Sequence, residues 1–157
     1  MKQYQRNKAV EYAFTWWNST NPQFYNYDNL GGDCTNFTSQ CIYAGSEVMN
    51  FNKENGWFYI NSNNKSPSWT GVEFLKNFLI NNKVKGPFAR FCDLNDVELG
   101  DIIQIKQTNY FNHSLVVTKI FEGEVFVTAH TNNVVNKSLK LYFPKEIRCL
   151  KILGVLE

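Results

Sequence analysis

No stretch of this sequence is apolar for long enough to cross a membrane; its hydrophobic runs are short and broken by Asn, Lys or Glu. Charge of one sign is also missing. Lys and Arg total 16 against 14 Asp and Glu, a net charge of +2. That balance excludes a strongly basic nucleic-acid binder and an acidic tail protein. The opening MKQYQRNKAVEYAFTWW has no apolar core followed by a small-residue cleavage site, so no signal peptide is expected. The chain reads as cytoplasmic as written, or as a domain cut from a longer wall or extracellular protein. Cysteine is sparse: Cys34, Cys41, Cys92 and Cys149 form no CxxC pair and no Cys/His cluster of zinc spacing. No structural metal is expected, and a core of this size needs no disulfide. There is no glycine-rich phosphate loop and no EF-hand loop, so no cofactor is expected either. Histidine is rarest of the chemically active residues, with two copies, His113 and His130.

What is present is apolar and aromatic. Of 157 residues, 43% are hydrophobic and 16% aromatic, enough for a sizeable core. No repeat or low-complexity tract divides them, so a single domain over residues 1–157, acting as a monomer, is expected. Residues 2–18 read as a helix ended by Asn21-Pro22. A second helix is predicted from Asp33 to about Ala44, with Gly45 as its stop. A third should start at Thr70, where Thr70 and Glu73 have capping-box spacing, and run to about Asn82. After Gly86-Pro87 the character changes. Residues 102–106, 114–120, 124–129 and 147–153 are short apolar runs bounded by Gly, Asn or Asp, the signature of strands. Glu122-Gly123 reads as a hairpin turn. Helices first and strands second predict an α+β domain with helices packed on an antiparallel sheet.

The chemistry starts at Gly31-Gly32-Asp33-Cys34. Two glycines allow a sharp turn into a helix, and Cys34 then lies in its first turn. Free N–H groups and the helix dipole favour a thiolate there, the form a nucleophilic cysteine uses. The plainer reading is that Cys34 opens the apolar face it shares with Phe37, Cys41 and Ala44. His113 opens one strand and His130 closes the next. With a two-residue turn that pairs Phe121 with Glu124, His113 faces Asn132 and His130 is its diagonal neighbour. A bulge would change that register and bring up Thr131 instead. Two surface histidines at strand ends is the plainer reading here. Asp33 reads as a helix cap and Asp101 as a turn residue. The tryptophans, Trp16, Trp17, Trp57 and Trp69, read mainly as core.

Cysteine, histidine and a polar orienting residue, in that order along the chain, are the parts of a cysteine hydrolase. The order resembles the papain-like architecture and its small bacterial NlpC/P60 and CHAP branch. The chain resembles more closely still the amidase domain family of clostridia and bacilli. The likeness runs through NKAVEYAFTWWN, NPQF, DCTNFTSQC, LGDIIQ, HSLVVT and HTN. It implies a cysteine amidase or peptidase with Cys34 as nucleophile, His113 as base, and His130 or Asn132 as third member. His130 is the preferred of these two. By the same likeness Tyr25 or Tyr27 would help hold an oxyanion, and the substrate would be a peptide amide, in particular one of peptidoglycan.

Overall fold

The computed structural model describes residues 1–130 and 132–157; Thr131 lies outside the described residues. Four helices come mostly first: α1 (Arg6–Trp16), α2 (Cys34–Ser46), α3 (Pro67–Thr70) and α4 (Val72–Asn81). A small hairpin, β1 (Tyr59–Asn61) with β2 (Asn64–Lys65), interrupts them. Then come β3 (Gly86–Cys92), β4 (Ile102–Lys106), β5 (Phe111–Phe121), β6 (Glu124–Ala129), β7 (Val134–Ser138) and β8 (Glu146–Leu156). These six form one antiparallel sheet in the order β3-β8-β4-β5-β6-β7. The class is α+β, as expected.

The sheet is buried on both faces. Along β4, Ile102 joins the core under the helices, while Ile103 and Ile105 join a second core on the far side. The helix-side core is built on Phe37, Cys41, Trp57, Trp69 and Leu79. The far core gathers Leu115, Val117, Val127 and Leu139. Helix α2 is the central element, and it is buried on nearly every side. Several of its polar residues are satisfied internally, while the Thr38 and Ser46 hydroxyls are buried without a hydrogen-bond partner among the described residues. Thr35 bonds Ser114 of β5 at 2.9 Å, Trp57 donates to Ser39 at 3.1 Å, and Trp69 donates to Asn36 at 2.9 Å. Trp57 and Trp69 are therefore core residues, fully buried.

Several boundaries differ from expectation, each for a local reason. The first helix starts at Arg6, because Lys2 pairs with Val155 in extended form. Gly45 does not stop α2; the helix passes through it and ends at Glu47, in left-handed conformation. Gly45 serves close approach instead: a Cβ there would meet the Tyr4 ring at 2.6 Å and the Gln5 carbonyl at 2.8 Å. The third helix is two helices, split at extended Gly71, and no Thr70–Glu73 capping box forms. Glu73 pairs with Arg148 and Lys76, both at 2.8 Å. Strand β3 escaped the sequence reading because Gly86-Pro87 looked like a boundary. It is an edge strand, where a proline without an N–H is tolerated. Asp101 is more than a turn residue. It is fully buried and joins α1 to the sheet through Arg6, at 2.7 Å, and the Ile152 N–H, at 2.9 Å.

Candidate active site

The turn into α2 uses left-handed backbone at Gly31 (φ 95°) and Gly32 (φ 107°), conformations open to glycine. Cys34 is then the first helical residue, with its side chain largely buried. Asp33 occupies the cap position but makes no side-chain cap bond. Its Oδ1 accepts from the Tyr27 N–H and from Asn36 Nδ2, each at 2.8 Å. Its Oδ2 accepts from His130 Nδ1 at 2.6 Å.

His130 is thus held behind Cys34 rather than beside His113. Its Nε2 is hydrogen-bonded to the Trp16 carbonyl at 2.7 Å, so both ring nitrogens are engaged. The ring stacks on Phe37 with centroids 3.9 Å apart. One buried side chain ties together the end of α1, the start of α2 and the end of β6.

The register explains this. The hairpin turns at Glu122-Gly123 as expected, both residues at positive φ, and Phe121 does face Glu124. The ladder then slips by one between Val117 and Lys119, so the predicted His113–Asn132 pairing does not form. Thr118 is the extra residue, bonded at 2.7 Å to both Thr128 and Asn136. The slip lies in β5, not in the turn region, and the Thr131 position it would bring forward is outside the described residues. Asn132 is exposed, in left-handed conformation at φ 56°. Among the described residues, neither it nor His130 is hydrogen-bonded to His113.

Cys34 and the start of β5 do come together. The Thr35–Ser114 bond pins the first turn of α2 to that strand. Cys34 Sγ lies 3.9 Å from the Asn112 carbonyl and 3.8 Å from Thr35 Oγ1. Asn112 is the unpaired residue of a second ladder irregularity, between the pairs Ile105–His113 and Lys106–Phe111. His113 follows it directly, half-buried, and among the described residues its ring nitrogens carry no hydrogen bond. Burial, and then the charge of Lys137, push the His113 pKa below its ordinary value.

Two neighbours escaped the sequence reading. The Tyr142 ring centroid is 6.5 Å from that of His113, and Lys137 Nζ sits 4.0 Å from the centre of the Tyr142 ring. Burial and then the nearby Cys34 thiol push the Tyr142 hydroxyl up to about 12. Neither residue belongs to a motif; β7 and the turn after it bring them to the site. Of the two tyrosines expected near the cysteine, Tyr27 is mostly buried and Tyr25 is 46% exposed. The Tyr27 hydroxyl is buried without a hydrogen-bond partner among the described residues. A cavity of about 580 Å³ lined by Asn50, Phe74, Asn77 and Lys83 has neither Cys34 nor His113 in its walls, so it is a separate feature.

A match to the family described as "Putative amidase domain" extends over residues 3–152. The chain belongs to that family. Membership points to a hydrolase acting on amide bonds. The chain is 34% identical over 134 residues to uncharacterized protein YhbB of Bacillus subtilis (strain 168). The aligned region covers 82% of this chain and 42% of that relative, so the chain spans less than half of YhbB. No solved structure matches. No helix among the described residues is long and apolar enough to cross a membrane.

Proposed function

We propose that the family's amide chemistry runs here through Cys34 as nucleophile and His113 as general base. The observation that carries this reading is the contact between a helix-N-terminal thiol and the strand opening that bears the unengaged imidazole. Cys34 rests on the Asn112 carbonyl, and His113 is the next residue. His130 has no nitrogen to spare, so of the two histidines His113 is the base.

The thiol sulfur attacks the amide carbonyl as its proton passes to His113. The oxyanion that forms faces the Cys34 N–H and the start of α2. The unpartnered hydroxyl of Tyr27 is the second donor. The C–N bond breaks as His113 returns the proton to the leaving amine, giving a thioester. Water, deprotonated by His113, then cleaves the thioester and frees Cys34. The substrate is an amide of a bacterial wall peptide. This assignment is supported by the likeness to wall-hydrolysing NlpC/P60 and CHAP domains and to the papain-like order of cysteine on a helix before histidine on a sheet.

Mass analysis of purified cell wall before and after incubation tests the reading. Cys34→Ala should release no fragment while its circular dichroism and Tm match the parent. A competing amine that is incorporated into the product would mark an acyltransferase instead. Thiol labelling gives an independent check. Burial pushes the Cys41 thiol well up, Cys149 up to about 12, and Cys92 up as well. Iodoacetamide at pH 7 should therefore label Cys34 first. Equal labelling of all four thiols, or full activity in Cys34→Ala, would sink the assignment.

A further inference from the structure

We propose that Lys137, laid over Tyr142, is a carboxylate-recognising residue that selects substrates carrying a negative charge next to the scissile amide. The proposal deepens the reading of Cys34 as nucleophile and rests on it.

The geometry is specific. Lys137 is half-buried on β7 and, like most of the lysines, makes no ion pair among the described residues. Its ammonium group is held instead over the Tyr142 ring, 4.0 Å from the centroid. That ring lies against the far core and 6.5 Å from the His113 ring. A cation–π contact at this distance orients an ammonium group without neutralising it. The result is an uncompensated positive charge on one wall of the site, beside the base. That location has a chemical cost: a cation there disfavours the imidazolium that forms when His113 takes the thiol proton, and it lowers the His113 pKa. A bound carboxylate on Lys137 removes the cost by offsetting the charge, so the acidic substrate restores the base at the moment it binds. The ligand class is therefore a carboxylate, as in an acidic peptide residue, within reach of both Lys137 and the amide attacked by Cys34.

Alkylation of Cys34 by two reagents that differ in charge tests this without a known substrate. Iodoacetate carries the carboxylate; iodoacetamide is its neutral counterpart. The ratio of their Cys34 rate constants is measured at pH 8.5 and low salt by peptide mass analysis. Lys137→Met should lower the iodoacetate/iodoacetamide ratio roughly three- to tenfold, and added salt should shrink the difference. Lys137→Arg should keep the parental ratio. A reactive Cys34 whose ratio is the same in parent and Lys137→Met would overturn the assignment of Lys137 and leave the nucleophile standing. A Cys34 inert to both reagents in the parent would overturn the nucleophile, and this proposal with it.

Discussion

His113 can accept a proton only as a neutral imidazole, and its surroundings keep it neutral. Burial is the larger cause and the Lys137 charge the smaller, and both push its pKa below the ordinary 6.5. The acid limb of kcat/KM should therefore fall below pH 6.5. Lys137→Met should move that limb upward, though not past the ordinary value, since burial remains. An acid limb at or above 6.5 in the parent would count against His113 as the base. The same shift enters folding. The unfolded chain binds this proton more readily than the folded one. Stability contributed above pH 6.5 is therefore lost as pH falls through the folded value. At this scale local context made Cys34 and His113 candidates, and the resemblance to the amidase family implied their roles. Neither could name Lys137 or Tyr142, because a lysine on a strand and a tyrosine in a turn look like any others until the chain returns.

Among the elements, the join of α1, α2 and β6 depends on one buried pair. Asp33 and His130 are each almost fully buried and bond at 2.6 Å. Removing His130 leaves the buried Asp33 side chain and the Trp16 carbonyl each short of a hydrogen bond, at about 1–3 kcal/mol per unsatisfied group. His130→Ala should thus lower stability in urea unfolding by about 2–5 kcal/mol. Asn132→Gly, at an exposed left-handed turn position, should leave stability nearly unchanged. The converse pattern, with His130→Ala as stable as the parent, would mean that the pair is not holding the helices. The alternation of the hairpin was legible, and so was its turn. The one-residue slip at Thr118 was not, because it follows from side-chain bonds to Thr128 and Asn136 that join three strands.

Across the whole molecule, Asp101 anchors distant parts of the chain. Oδ1 accepts from Arg6 and from the Ile152 N–H, and Oδ2 accepts from the Glu98 N–H at 2.8 Å. Arg6 also donates to the Ile152 carbonyl at 2.7 Å. The start of α1, the turn before β4 and strand β8 thus meet at one buried carboxylate. Asp101→Ala should cost about 3–5 kcal/mol, since it strips the partner from Arg6 and leaves buried N–H groups unpaired. Chemical denaturation measures this; a loss under about 1 kcal/mol would show that water replaces the carboxylate.

The sequence by itself determined the α+β class, the strands over 102–106 and 124–129, the hairpin turn, and a helix expected from Asp33 that starts one residue later, at Cys34. Each of these follows from short-range physics: apolar periodicity, left-handed glycine, and turn chemistry. Only the tertiary structure decided the partners. It took His130 away from His113 and gave it to Asp33. It turned Gly45 from a helix stop into a contact point for Tyr4. It also set Lys137 and Tyr142 against the candidate base. Those outcomes depend on packing and charge between residues far apart in the chain, which a local pattern does not encode.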